Sequence, residues 1–214
     1  MKKIDEKYFI NTNAGGYEKI EDIIGADEQV LWRGKPKKSA YMLSTILKMM
    51  PVALLWLAFD SFFIISMFAS DALTEAPLGV VIFLIAFFAI HLAPVWIWVG
   101  NIVTSTRQYK NLEYVFTNKR IIIKSGIIGI DFQNIYYPDI ISINLKVGLI
   151  DKMLKVGDVY INSASGAKVL FDINDPYFVT QKLQEIVIDI KTDIEFPNDF
   201  RPEENHGYKT TLKK

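Results

Sequence analysis

MMPVALLWLAFDSFFIISMFA at residues 49–69 and LGVVIFLIAFFAIHLAPVWIWV at residues 78–99 decide the reading of this chain. A helix rises about 1.5 Å per residue, so roughly 20 residues cover the roughly 30 Å hydrocarbon core of a bilayer. Each stretch has that length. Between Glu75 and Arg107 no residue carries a permanent charge. The expectation is a transmembrane hairpin, with helices over residues 49–69 and 78–102 joined by an external turn at 70–77.

The flanking charges orient that hairpin. Arg33, Lys35, Lys37, Lys38 and Lys48 precede the first segment, and Arg107, Lys110, Lys119 and Arg120 follow the second. The turn holds Asp71 and Glu75 and no Lys or Arg. Basic residues favour the inner face of a membrane. The sequence therefore predicts a multi-pass protein of the cell membrane, with both termini cytoplasmic and the bilayer as its first partner.

Composition narrows the rest. The 214 residues carry 24 basic and 24 acidic side chains, a formal net charge of zero, and no cysteine. Disulfides and thiolate metal sites are excluded, and a nucleic-acid binder would show a strongly basic domain. Residues 1–26 are polar, with Gly15 and Gly16 and a candidate short helix over 18–24. Residues 27–48 form the entry to the membrane, where 29–33 is a candidate added strand. Residues 192–214 read as a disordered tail in which His206 is solvated.

Two ionisable groups lie at membrane depth, Asp60 and His91. A mid-helix Asp costs about 2.5–3.5 kcal/mol on the insertion scale, and each Leu, Ile, Phe or Val offsets about 0.3–0.6. Ten such residues in 49–69 make insertion break-even to favourable. An intramembrane ionisable residue is a functional hypothesis by default. Counted from the turn, Asp60 and His91 are at similar depth, which makes them a candidate polar site. Gly79, Ala86, Ala93 and Gly100 recur every seven residues as a small-residue stripe, which favours close approach of another helix. His91 sits nearly opposite Ala86 and Ala93, so stripe and His91 both meet the first helix only if Pro94 bends the second. The plainer expectation is a polar group held by Ser61, backbone or water.

Beyond Arg107 the pattern turns to short alternating runs. Strands are expected at 112–117 and 120–124 around an Asn118-Lys119 turn, then at 127–132, with Gln133-Asn134 as a break. Further strands are expected at 140–147, 159–162 and 168–173. Asp175 suits an N-cap and Pro176 a first helical position. Phe178, Leu183, Ile186, Val187 and Ile190 then approximate one helical face. The fold class is an α+β membrane protein: a helical hairpin plus a small β-barrel or orthogonal sandwich over residues 103–191, closed by a C-terminal helix.

Several local stretches carry a family resemblance: Tyr114 with Thr117-Asn118-Lys119-Arg120-Ile121-Ile122-Ile123, Ser125-Gly126-Ile127-Ile128, and Pro138-Asp139-Ile140. Gly148-Leu149-Ile150-Asp151-Lys152-Met153-Leu154 leads to Gly157-Asp158-Val159, and Asp172-Ile173-Asn174-Asp175-Pro176 closes the domain. Upstream stands Asp27-Glu28-Gln29-Val30-Leu31-Trp32-Arg33-Gly34-Lys35-Pro36. In this order, beside a two-helix anchor, they resemble the bacterial pleckstrin-homology-like domain membrane proteins. The resemblance implies a pleckstrin-homology (PH)-like fold and a binding or assembly role, with no catalytic residues.

Lys119, Arg120 and Lys124 are the candidate headgroup contacts, but the basic cluster that grips an inositol phosphate is incomplete. Residues 103–190 hold ten basic against nine acidic side chains, and headgroup recognition needs a local positive site. The plainer expectation for Lys119 and Arg120 is a solvated hairpin turn. No HExxH, Walker-type loop or GxSxG occurs. Asp151, Asp158, Asp172 and Asp175 fall at expected turns, where Asp serves the backbone. The sequence thus predicts a non-enzymatic membrane adaptor or scaffold without metal or cofactor. Its partner would be a protein, a peptide, a lipid headgroup or a second copy of itself. The competing class is a small oligomeric transport or channel subunit using Asp60 and His91.

Overall fold

A helical arm joins two antiparallel sheets through helix ends that are bonded directly into the sheet region. The computed structural model describes residues 19–25, 27–70 and 75–196. Gly15, Gly16, Asp71 and His206, named above, lie outside the described residues.

The arm begins with α1 (Lys38–Ala69), eleven residues earlier than the apolar run suggests. The amphipathic stretch before Lys48 is helical as well. The second apolar segment is two helices, α2 (Leu78–His91) and α3 (Ala93–Asn111), bent by 50° at Leu92. Pro94 explains the break, because it has no N–H and its ring clashes with the preceding turn. Carbonyls freed there find indole donors. Trp56 Nε1–H donates to His91 O at 2.7 Å, and Trp96 Nε1–H to Ala89 O at 2.9 Å. By length and composition α1 can cross a bilayer, whereas α2 and α3 can do so only as one bent span.

α3 runs alongside α1, while the backbones of α1 and α2 scarcely meet. Thr45 Oγ1 lies 3.4 Å from Ser105 Oγ, and Trp98 Nε1–H donates to Ile46 O at 2.9 Å. The expected stripe does not mediate this packing. A methyl group built on Gly79 or Gly100 would meet nothing.

One sheet has the order β1-β2-β3-β4, built from β1 (Val30–Gly34), β2 (Glu113–Thr117), β3 (Arg120–Ser125) and β4 (Asp131–Tyr136). The entry segment is therefore the edge strand, antiparallel to β2. The expected strand at 127–132 is displaced. Residues 127–130 form a loop, and Gln133 and Asn134 pair with Ile123 and Ile122 instead of breaking the strand. Polar side chains on an outer face do not interrupt a ladder made by backbone groups.

The second sheet is β5 (Ile140–Lys146), β6 (Val156–Ser163) and β7 (Gly166–Asn174) in that order, with α4 (Leu149–Leu154) between β5 and β6. The two sheets remain separate, so there is no closed barrel. α5 (Pro176–Glu195) covers the sheets and takes in the first residues of the expected tail. Its N-cap, Asp175, makes no side-chain capping bond and sits at φ 49°.

Tyr114, Ile121, Ile161, Leu170 and Leu183 meet in the core at 0% exposure. A second small cluster explains a pattern that alternation misses. A short 3-10 turn, Ile20–Ile23, lays Ile20 over Val115 and Ile122 on the outer face of the first sheet. Ile121, Ile122 and Ile123 are consequently all buried, because both faces of β3 are covered.

The candidate functional sites

Three places in the molecule gather chemistry-bearing side chains. The first is the bend in the helical arm. His91 Nδ1 lies 2.7 Å from Asp60 Oδ1. Asp60 is 1% exposed, and its Oδ2 has no partner. The Phe87 ring stacks on the imidazole at 5.1 Å between centroids, and Trp56 lies against it at 5.4 Å. The bend makes the encounter workable: α2 leans away at backbone level while its last residue still reaches α1. Ser61 does not hold Asp60; His91 does.

The second place is the β2–β3 turn. Arg120 Nε–H donates to Glu28 Oε1 and its Nη2 to Glu28 Oε2, both at 3.0 Å. Nη2 also donates to Ile23 O at 2.8 Å. The Thr117 hydroxyl donates to Glu28 Oε1 at 2.7 Å, and Gly25 N–H to Oε2 at 3.1 Å. Burial pushes the Glu28 carboxyl up. The Arg120 fork, the Gly25 N–H and the Thr117 hydroxyl outweigh that and hold it below the usual carboxylate range. Lys119 pairs with Asp27 on the surface. Lys124 stands at the other end of β3, across from Glu113. Four residues of strand place it roughly 13 Å from Arg120. The structure therefore does not assemble Lys119, Arg120 and Lys124 into one positive site. Arg120 fastens the entry segment to the turn.

The third place, at the junction of arm and sheets, was not legible as a site. β7 carries a bulge opposite the register shift between Gly157 and Val159, with Asp172 at φ 50°. Such a residue leaves its backbone groups outside the ladder, and here both are taken. Asp172 N–H donates to Asp158 Oδ1 at 2.9 Å, and Asp172 O accepts Lys37 N–H at 2.9 Å. Lys37 Nζ donates to Leu154 O at 2.8 Å, and the Tyr41 hydroxyl to Gln108 Oε1 at 3.3 Å. Burial, and then the charges of Asp158 and Asp151, push the Asp172 carboxyl up to about 7. Burial also raises Asp158 and Tyr114. In the sequence Asp172 looks like any Asp at the end of a strand. What sets it apart is the packing of α1 against β7, a long-range contact.

Beside this junction, Lys152, Lys155, Tyr177 and Phe178 line an open cleft between α4 and the start of α5. Among the described residues no group of three or more His, Asp or Glu side chains could hold a metal ion.

Two antiparallel sheets with a covering C-terminal helix define a small α+β module. The bacterial PH domain family model matches residues 52–190, and the chain belongs to that family. The match includes most of the helical arm and every strand except β1, which precedes it. No curated protein and no solved structure matches the chain.

Proposed function

We propose that this protein is a membrane-anchored, non-enzymatic PH-like adaptor or scaffold. Its sheet domain presents a binding surface for a protein, a peptide or lipid headgroups at the inner face of the cell membrane. The observation that carries this reading is the direct bonding of Lys37 and Tyr41 at the start of α1 into β7, α4 and α3, without a linker. A binding module fixed in this way has its position relative to the bilayer set by the helices. The outward apolar side chains of α1 and α2 support the anchor, since lipid is the solvent that favours them. The basic residues on both flanks support the orientation.

The test uses full-length protein in native membranes. It should stay in the pellet under alkaline extraction. A cysteine at position 75 should label from outside intact cells, and one at position 155 only after permeabilisation. Release from the membrane, or external labelling at 155, overturns the reading.

The Asp60–His91 contact, with Asp60 Oδ2 unpartnered, favours a second reading as a transport or channel subunit. Proton or ion pathways use chains of ionisable groups, and between residues 49 and 106 the sequence adds to this pair only Asp71 and Glu75, both in the turn. A pH-dependent flux in proteoliposomes, lost in both Asp60→Asn and His91→Ala, would promote that reading over the adaptor.

A further inference from the structure

We propose that the sheet domain lies down on the bilayer through two apolar feet, the 126–130 loop and the exposed face of α4, seated in the anionic leaflet that its own helices enter. The inference rests on the membrane-anchored reading above and adds the domain's own contact with lipid.

Both feet are at the end of the domain where the helices join it. Asn111, the last residue of α3, donates through Nδ2 to Gly126 O at 3.0 Å, which ties the loop to the helix end. Lys37, the residue before α1, donates to Leu154 O, which ties α4 to the other helix end. The Tyr41–Gln108 bond shows that the first turn of α1 and the last turns of α3 are neighbours. The two feet therefore flank one helix pair at one end.

The feet are apolar where water contact disfavours it. Ile128 is 97% exposed, and Ile127 and Ile130 are exposed beside it. The loop is held in a fixed shape. Gly126 has φ 131°, and a side chain there would collide with Gly129 O. On α4, Leu149 and Met153 are 81% and 76% exposed, and their four-residue spacing puts them on one face. Scattered exposed apolar residues are ordinary, but these gather at one end. The far end of the same β2–β3 hairpin is polar, with Lys119 paired to Asp27 and Arg120 to Glu28.

Charge matches the same partner. Lys152 and Lys155 are exposed on and just after α4, Lys35, Lys37, Lys38, Arg107 and Lys110 flank the helix ends in the sequence, and Lys124 pairs across from Glu113 just beyond α3. Of the nearby acids, Glu113 is paired with Arg33, and Asp151, Asp131, Asp158 and Asp172 are fewer than these basic residues. Each Lys or Arg near an anionic leaflet adds attraction that falls off within a Debye length. Apolar side chains beside basic ones, on a body already tethered there, form an interfacial contact.

Because the chain has no cysteine, single-cysteine variants report one position each. Full-length Ile128→Cys, Met153→Cys, Phe62→Cys and Lys119→Cys are labelled with an environment-sensitive fluorophore. Each is reconstituted in vesicles of phosphatidylcholine and phosphatidylglycerol. Nitroxide-bearing lipids should quench positions 62, 128 and 153, and aqueous iodide should quench position 119. If 62 is quenched by lipid while 128 or 153 behaves like 119, the feet do not exist. If 62 itself answers only to iodide, the anchor reading fails instead. Quenching at 153 should fall several-fold in pure phosphatidylcholine. Equal quenching in both vesicles overturns the assignment to an anionic surface.

Discussion

The sheet domain and the helical arm pack in opposite senses. In the sheet domain, Tyr114 and Ile121 of the strands and Leu183 of α5 turn inward. In the arm, Leu55, Phe62 and Ile90 point outward, 71%, 68% and 76% exposed, while Asp60 is buried together with the small Ala40 and Ala53. The sheets follow the rule of a body in water. An apolar surface as continuous as the arm's marks an interaction surface, and lipid fits its length. The contrast teaches that one chain carries two opposite packing patterns. It also locates the seam, where Lys37, Tyr41 and Asp172 bring the two halves together.

The comparison breaks first at Leu183→Ala. This side chain is fully buried between α5 and the sheets. Truncation should cost about 4 kcal/mol, the transfer loss plus the cavity left behind. Leu55→Ala in the arm should change the same thermal or denaturant midpoint by less than about 1 kcal/mol, because lipid fills the space. Equal losses at the two positions would mean that the arm is packed against protein.

Next in size is Arg120→Ala, read by denaturation of the full chain. The Glu28 side chain is 4% exposed, and removing its partner leaves a buried carboxylate uncompensated, at about 3 kcal/mol. The pH dependence carries the sign. In the native protein the Glu28 carboxyl is depressed, so its contribution is present above its unfolded value and lost as pH falls through the folded one. In the variant, acidification protonates the orphaned carboxyl and should recover part of the loss. A variant equally weakened at every pH would show that packing, and not charge, joins the entry segment to the turn.

Much of this architecture was legible before any coordinates. The long uncharged runs gave helices because length and hydropathy alone report them. Asn118 and Lys119 gave the turn, and the switch from short runs to helical spacing gave α5. The break at Leu92 needed only Pro94. Other features depend on distant contacts that a local pattern does not carry. Ile122 is buried because Ile20 folds across it, Asp172 is buried because α1 begins beside it, and Arg120 is an anchor because Glu28 is 92 residues away. The Asp60–His91 pair lies between these cases. Depth along the helices brought the two together on paper, but only the bend decides that they meet.

Asp172→Asn tests the seam. Asp172 is 4% exposed, and its folded value of about 7 stands well above that of an ordinary aspartate. A raised acid contributes stability that is present below the unfolded value and lost as pH rises through the folded one. Native stability should therefore fall between about pH 4 and pH 7. Three units set a ceiling of roughly 4 kcal/mol; with relaxation and water entry we expect about half of that. Asn tolerates the positive φ and carries no charge, so the variant should be the more stable at pH 8 and should lose this slope. A slope that persists in the variant would move the titrating group elsewhere, with Asp158 the next carboxyl to replace.

Asp60→Asn should have the smallest effect, and it asks whether the arm's one buried carboxylate is there for structure. Asn keeps a carbonyl oxygen where Oδ1 meets His91, and its amide takes the place of Oδ2, which has no partner to lose. Replacing the acid by an amide also eases entry into lipid, since Asp at a helix centre costs about 2.5–3.5 kcal/mol. Insertion should be retained and the thermal midpoint in bilayer discs should move by less than about 1 kcal/mol, within the range of interhelical polar contacts in membranes. His91→Ala should behave differently, because it leaves Oδ1 as well as Oδ2 without a partner in a dry site. A structural pair thus predicts a mild Asp60→Asn and a more damaging His91→Ala. Equal, complete loss in the two variants would show that the charge itself is required, and the arm would then be the working part of the protein.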